Sequence, residues 1–301
     1  MTGSRVLPER TRSVHRVEGR SVVGSSPMFN LIPLSDALGA EVRGLDLRMP
    51  MDGAIFDALH RAWLEHIVLL FRDQVLDDHD LVGFSRRFGE LEIAPLFQGR
   101  RFIDDFPEVM IVSNVVDAGQ PLGSLGTAEA FWHCDLNFIE EPPDHGFLYA
   151  LEVPASGGDT GFANMYKALE TLPPSLRPAI EGRRIKHDAR FNSAGYLREE
   201  TRPDVIHPIV RTHPETGRKA LFLGRRLNAM IVGVPPAESE VLLDALWSHA
   251  TQPRFIWHHK WRPRDLVMWD NRVTMHRRDS FDPSARRVMH RTQTKGTRPY
   301  S

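Results

Sequence analysis

The spacing of apolar and polar residues changes along the chain. Before residue 107, apolar positions at helical spacing in 54–66 predict an amphipathic helix, and a second helix follows Asp77-Asp78, which can cap it. The run Ile67-Val68-Leu69-Leu70-Phe71 between them predicts a buried strand. After residue 107, short β-rich runs recur between Pro, Gly and Asp turns, interrupted by predicted helices at 166–172 and 237–250. This mainly β pattern with flanking helices favours an antiparallel sandwich or barrel.

Composition narrows the class of protein. The 301 residues are 41% apolar and 9% aromatic, which is enough for a large core and unlike a disordered chain. Lys and Arg total 38 against 39 Asp and Glu, so we expect no general binding to nucleic acid. The single cysteine, Cys134, excludes an intrachain disulfide framework and a multi-thiolate zinc site.

The hydropathy of the chain and its first 27 residues bear on its cellular location. No stretch approaches the roughly 20 apolar residues that span a bilayer, so we expect no membrane segment and a cytoplasmic location. Residues 1–27 carry five arginines and several serines, which predicts a disordered leader, with a transit peptide as the alternative. We expect a homo-oligomer, because exposed helical faces such as 241–247 could mediate pairing.

A histidine and an aspartate one residue apart are the first candidate for chemistry. On a strand, His133 and Asp135 would point to the same face, about 6.6 Å apart, and both could reach one metal ion. Cys134 would then point the opposite way, so it is not expected to be a ligand. A pair of this kind is also common at a surface or a helix cap. Far downstream, an apolar strand at 266–270 ends in a turn that is followed by His276.

Four motifs together resemble one known family. They are Trp132-His133-Cys134-Asp135, Gly157-Gly158-Asp159-Thr160, Trp269-Asp270-Asn271-Arg272 followed by His276, and the pair Arg287 and Arg291. In this order and spacing they resemble the taurine dioxygenase and 2,4-dichlorophenoxyacetate dioxygenase group of iron(II)/2-oxoglutarate-dependent oxygenases, over residues 28–295. The resemblance implies a double-stranded β-helix, or jelly roll, with helices packed outside it. We therefore expect a single jelly-roll oxygenase domain over residues 28–301.

The resemblance also implies roles for individual residues. His133, Asp135 and His276 match the two-histidine, one-carboxylate iron(II) site, which leaves three coordination positions for 2-oxoglutarate and O2. Arg287 and Thr160 match the groups that bind the distal carboxylate of 2-oxoglutarate, where a guanidinium can form two hydrogen bonds. Arg291 matches an arginine that faces the acidic group of the primary substrate in related enzymes.

The substrate is the least defined part of the prediction. Taurine dioxygenases hold the sulfonate with a histidine and a tyrosine, and this chain has Ala94 and Phe97 at those positions. Glu129 replaces an expected asparagine, so taurine itself is disfavoured. We expect hydroxylation of a small organic anion, such as an aryloxyalkanoate, sulfonate, alkyl sulfate or related carboxylate, with release of succinate and CO2. The alternatives are a jelly-roll metal enzyme that does not use 2-oxoglutarate and a non-catalytic binding module.

Overall fold

A computed structural model describes residues 29–125, 130–188, 190 and 203–301. The predicted leader at 1–27 and Glu129 lie outside these described residues. The strands are β1 (Asn30–Pro33), β2 (Ala40–Arg43), β3 (Val68–Phe71), β4 (Met110–Ser113), β5 (Val116–Asp117), β6 (Gln120–Pro121), β7 (Ser124–Leu125), β8 (Ala130–His133), β9 (His145–Glu152), β10 (Thr160–Asn164), β11 (Arg184–His187), β12 (Val205–Pro208), β13 (Val210–Thr212), β14 (Lys219–Leu221), β15 (Met230–Ile231), β16 (Ile256–His259), β17 (Leu266–Asp270), β18 (Thr274–Arg278) and β19 (Val288–Gln293). The helices are α1 (Gly53–His66), α2 (Asp78–Ser85), α3 (Met165–Glu170), α4 (Arg177–Ile180) and α5 (Pro236–Ala250), with short 3-10 helices at Arg86–Phe88 and Pro253–Phe255.

Two sheets form the body of the fold. The larger has the order β1-β2-β3-β17-β9-β19-β4-β7, and the smaller has the order β16-β10-β18-β8. Leu148 and Trp269 from the larger sheet share one hydrophobic cluster with Phe162 and Met275 from the smaller sheet. The two sheets therefore bury a common core between them, as in a sandwich. This is the jelly roll that the sequence motifs implied, and that prediction is confirmed.

Helix α1 covers the other face of the larger sheet. Asp52 caps it by accepting a hydrogen bond from the backbone of Ile55, and the helix ends at Ile67, which has a left-handed φ of 57°. Trp63 on its buried face is fully enclosed and belongs to the same cluster as Phe147 of β9. Truncating such a side chain to alanine costs about 3–5 kcal/mol. The predicted helix at 54–66 is thus confirmed, and its apolar stripe has a definite partner.

The register of the smaller sheet positions the candidate site. Strands β8 and β18 are antiparallel neighbours, and His133 lies directly opposite His276. The ladder between them is irregular after His276, where the register shifts. Strand β10 lies on the other side of β18 and begins at Thr160. Residues 143 positions apart in sequence are therefore adjacent in the fold.

One predicted strand is divided in the structure. The pattern at 207–212 predicts a single run, but the structure has β12 and β13 on either side of Ile209. Strand β12 pairs with β11, whereas β13 pairs with β14. The chain therefore changes its pairing partner at Ile209, where the strand is interrupted. Which strand pairs with which depends on tertiary contacts, and the apolar pattern of the sequence does not encode them. Among the described helices, none has the length and apolar character needed to cross a membrane.

Candidate active site

Three side chains that could hold a metal ion converge in the smaller sheet. The Nε2 atom of His133 lies 3.7 Å from Oδ1 of Asp135, and Nε2 of His276 lies 3.7 Å from Oδ2 of the same carboxylate. All three ligand atoms lie within 4.8 Å of one another, and all three residues are buried. The sequence motifs therefore selected residues that the fold brings together.

The reason for this convergence differs from the one expected. Asp135 does not share a strand face with His133, because β8 ends at His133 and Asp135 lies in the turn that follows. Asn271 holds the turn instead: its Oδ1 accepts the backbone N–H of Asp135 at 2.8 Å, and its Nδ2 donates to the Asp135 carbonyl at 3.2 Å. The expectation of a shared strand face was wrong, but the predicted pair is intact.

Cys134 points away from the three side chains, as expected. Its Sγ donates to the carbonyl of Thr274 at 3.3 Å, and the residue belongs to the core between the sheets. Burial raises the pKa of this thiol to about 12. A thiol that stays protonated in the core is not available as a thiolate ligand.

The electrostatics of the three residues suit a divalent cation. Burial lowers the pKa of His276 to about 3, so its imidazole is neutral at physiological pH. The Nδ1 atom of His133 hydrogen-bonds the carbonyl of Phe131 at 2.7 Å, which assigns the proton to Nδ1 and leaves the Nε2 lone pair facing Asp135. Burial alone would raise the pKa of Asp135, but the charge of Arg291 holds it well below its usual range. Two imidazoles and one carboxylate form a donor set that fits iron(II).

Arg287 is a buried charge that forms no ion pair with any described residue. It is only 2% exposed, and its Nε has no hydrogen-bond partner among the described residues. Burial, followed by the charge of Arg278, lowers its pKa to about 9. Gly158 lies against its side chain and has a left-handed φ of 68°, a backbone conformation that favours glycine. An unpaired buried guanidinium of this kind fits a carboxylate ligand.

Thr160 is buried two residues beyond Gly158. Its Oγ1 accepts a hydrogen bond from Nε1 of Trp261 at 2.9 Å. The indole N–H can only donate, so the threonine hydroxyl keeps its own proton for another acceptor. Sequence reasoning did not single out Trp261, and no local motif marks it, because the contact spans 101 residues.

Arg291 reaches the metal-binding cluster from β19. Its Nη2 lies 2.6 Å from Oδ2 of Asp135 and donates to Oε1 of Gln293 at 2.9 Å. Its guanidinium also lies 5.6 Å from the ring centroid of Trp269. The amide of Gln293 in turn donates to Oε2 of Glu92 at 3.0 Å. Gln293 and Glu92 were missed by sequence reasoning, although strand alternation places Gln293 on the same face as Arg291.

The predicted substrate residues have a less direct relation to this cluster. The backbone of Ala94 donates to the carbonyl of Pro107 at 2.9 Å. The ring of Phe97 stacks on Phe102 with centroids 5.4 Å apart. The contacts described for these two residues hold a loop together and do not reach the metal ligands. Their role in substrate binding stays a prediction.

Comparison with known proteins agrees with this fold. Residues 30–293 match the family described as taurine catabolism dioxygenase TauD, TfdA family, and the chain belongs to that family. It is therefore an enzyme of the 2-oxoglutarate-dependent dioxygenase class, and the resemblance drawn from the motifs is confirmed.

Several relatives are similar over most of their length. The alpha-ketoglutarate-dependent 2,4-dichlorophenoxyacetate dioxygenase of Cupriavidus pinatubonensis is 37% identical over 281 residues, covering 87% of this chain and 96% of that protein. The (S)-phenoxypropionate/alpha-ketoglutarate-dioxygenase of Sphingobium herbicidovorans is 34% identical, covering 90% of this chain and 96% of that protein. The crystal structure of AAD-2 in complex with Mn(II) and N-oxalylglycine has a TM-score of 0.75 and 32% identity, covering 91% of this chain and 99% of that one.

Proposed function

We propose that this chain is an iron(II)-dependent enzyme that couples the conversion of 2-oxoglutarate and O2 into succinate and CO2 to the hydroxylation of a small organic anion. The observation that carries the proposal is the convergence of His133, Asp135 and His276, with two imidazoles and one carboxylate buried at a single point. This donor set occupies one half of an octahedral coordination sphere and is typical of iron(II) oxygenases.

The chain's own residues would hold and orient the metal. The ligand atoms would be Nε2 of His133, Nε2 of His276 and a carboxylate oxygen of Asp135. The Phe131 carbonyl fixes the tautomer of His133, and Asn271 fixes the turn that carries Asp135. Iron(II), when bound, supplies the activation of O2 and the oxidative decarboxylation of 2-oxoglutarate. The protein contributes geometry and a buried, largely water-free surrounding.

Arg287 and Thr160 would bind the distal carboxylate of 2-oxoglutarate. The buried guanidinium would gain the counter-ion that it lacks among the described residues, and the threonine hydroxyl would donate a further hydrogen bond. Because Arg287 stays charged at neutral pH even with its lowered pKa of about 9, the pairing would be available under physiological conditions.

Arg291 would face the acidic group of the primary substrate. We propose that this group is the carboxylate of an aryloxyalkanoate or a related carboxylate, with sulfonates and alkyl sulfates as the next candidates. The names of the two curated relatives support the aryloxyalkanoates. Ala94 and Phe97, which stand where taurine dioxygenases have a histidine and a tyrosine, disfavour taurine.

A substrate panel tests this function directly. Purified protein would be incubated with iron(II), 2-oxoglutarate and O2, together with aryloxyalkanoates, sulfonates, alkyl sulfates or taurine, and succinate would be measured. We expect one class of acid to stimulate succinate formation well above taurine, and His276→Ala to abolish it. A calorimetric titration of N-oxalylglycine, in which an NH replaces one methylene of 2-oxoglutarate, provides a readout independent of turnover. Absence of succinate with every acid, together with absence of binding, would contradict the proposal.

A further inference from the structure

The segment that follows Gly89 is attached to the end of β19 through its backbone. The N–H of Glu92 donates to the carbonyl of Gln293 at 2.9 Å, and the N–H of Lys295 donates to the carbonyl of Glu90 at 2.7 Å. Leu91 and Thr294 form an antiparallel bridge between these two bonds. The position of Glu92 relative to β19 is therefore set by main-chain pairing.

The side chains form a second, separate connection across the same pair of segments. Nη2 of Arg291 donates to Oε1 of Gln293 at 2.9 Å, and Nε2 of Gln293 donates to Oε2 of Glu92 at 3.0 Å. A guanidinium can only donate and an ionised carboxylate can only accept. A glutamine between them must therefore present its oxygen to Arg291 and its nitrogen to Glu92, and Glu92 fixes which way the amide faces.

The connection ends at the candidate metal ligands. The same Nη2 atom of Arg291 lies 2.6 Å from Oδ2 of Asp135, so it is shared between the ligand carboxylate and Gln293. The Nε atom of Arg291 is buried and has no hydrogen-bond partner in the described part of the chain. One nitrogen of the guanidinium is thus committed to the protein, and a second is left for an acceptor from outside the chain.

We infer that Glu92 and Gln293 are positioning residues that hold the guanidinium of Arg291 for the acidic group of the primary substrate. The inference rests on the proposed function and deepens it, because it assigns part of substrate recognition to two residues outside the family motifs. A flexible arginine side chain loses rotamer entropy when it is fixed, so an arginine already held by Gln293 and Glu92 binds an anion at a lower entropic cost.

A purely structural role explains the hydrogen bonds that join Arg291, Gln293 and Glu92 less well. The backbone bonds between 90–92 and 293–295 already attach this segment to β19 without any side chain. Glu92 is also half-buried, and burial raises the pKa of its carboxyl group against the hydrogen bond from Gln293 and the charge of Arg291. Placing an acidic group there is unfavourable for stability alone, which is consistent with a role in orienting Arg291.

Matched variants separate positioning from folding. Gln293→Met removes both side-chain bonds at nearly constant volume, and Glu92→Leu removes the acceptor. Glu92→Gln keeps a side-chain oxygen that can accept from Gln293, so it is the conservative rescue. Glu90→Gln is the control, because Glu90 pairs with Lys295 in an exposed position.

The measurements use the acid from the panel that gives the most succinate, starting with 2,4-dichlorophenoxyacetate. We expect Gln293→Met and Glu92→Leu to raise the KM for the acid about tenfold, the effect of losing one charge-assisted hydrogen bond. The KM for 2-oxoglutarate should stay within about twofold of the original value. Succinate formed per hydroxylated product should rise, while Glu92→Gln and Glu90→Gln remain close to the unchanged protein.

A second readout avoids turnover. Calorimetry would measure the dissociation constant of the same acid with protein loaded with Mn(II) and N-oxalylglycine, which should weaken in parallel with KM. If Gln293→Met and Glu92→Leu keep the original KM and dissociation constant for the acid, or if both cosubstrate and acid weaken equally, the positioning role is wrong. If the unchanged protein forms no succinate with any acid, the proposed function itself fails, which is a distinct result.

Discussion

Arg272 and Arg287 are both 2% exposed, yet their surroundings are opposite. The Nε and Nη2 atoms of Arg272 each donate to Asp270 at 2.9 Å, and its Nη1 donates to Glu215 at 2.9 Å. The Nε atom of Arg287 has no partner among the described residues. Burial alone would lower the pKa of both arginines, but the carboxylate of Asp270 outweighs it and raises the pKa of Arg272.

The difference distinguishes Arg272, which is part of the structural framework, from Arg287, which belongs to the candidate site. Burying a charge is costly unless an opposite charge and hydrogen bonds compensate for it, and the region around Arg272 supplies both from the chain. Around Arg287 no described carboxylate forms an ion pair with it; burial and then the charge of Arg278 lower its pKa to about 9, so the site favours a carboxylate ligand. Burial of a charged residue is therefore not evidence for function, whereas burial without a counter-charge is.

The largest expected effect is a loss of protein stability when the charge pairing around Arg272 is broken. Asp270→Asn leaves Arg272 and His213 without the carboxylate that both contact, and we expect it to lower the free energy of unfolding by roughly 3–5 kcal/mol. Urea denaturation measures this change. The control is Asp135→Asn, whose partner Arg291 is partly exposed and keeps its hydrogen bond to Gln293; this variant should change stability less but reduce succinate formation about a hundredfold. Equal loss of stability in the two variants would contradict the distinction between the regions.

The same carboxylate gives a pH dependence. Burial alone would raise the pKa of Asp270, but Arg272 and His213 hold it far below its unfolded value of about 3.9. Its contribution to stability is therefore complete above that unfolded value and is lost as the pH falls toward the folded one. Acid titrations of the unfolding free energy should be steeper for the unchanged protein than for Asp270→Asn.

The main elements of the fold and the metal-binding residues can be predicted from the sequence. The long-range contacts that position the site residues cannot. The apolar spacing at 54–66 identifies α1, and residue type and order identify the metal-binding triad. The sequence does not show that Asn271 holds the turn of Asp135, because the contact joins residues 136 positions apart. Nor does it show that Arg287 forms no ion pair with the described residues, since that depends on every side chain that packs around it. Local periodicity predicts elements, whereas charge compensation is a property of the assembled fold.

Arg287→Met tests the comparison between the two buried arginines from the side of Arg287. Removing the guanidinium should weaken the binding of 2-oxoglutarate by roughly 10- to 100-fold, because a charge-assisted pair is lost. It should leave the free energy of unfolding of the ligand-free protein unchanged or higher, since an uncompensated buried charge disappears. Calorimetric titration of Mn(II)-loaded protein under nitrogen and urea denaturation measure the two quantities. The matched Arg272→Met variant should show the reverse, with a large loss of stability because Asp270 keeps only its contact with His213.

The smallest expected effect concerns the hydroxyl beside Arg287. Trp261→Phe keeps an aromatic ring but removes the N–H that fixes Oγ1 of Thr160, so the hydroxyl can turn and donate its proton elsewhere. We expect the dissociation constant for 2-oxoglutarate to rise about three- to tenfold, the effect of one neutral hydrogen bond, with kcat nearly unchanged. Trp257→Phe is the control, because Trp257 stacks on Phe162 in the neighbouring strand. An equal change in both variants would show that ring packing, and not orientation of the Thr160 hydroxyl, governs binding of the cosubstrate.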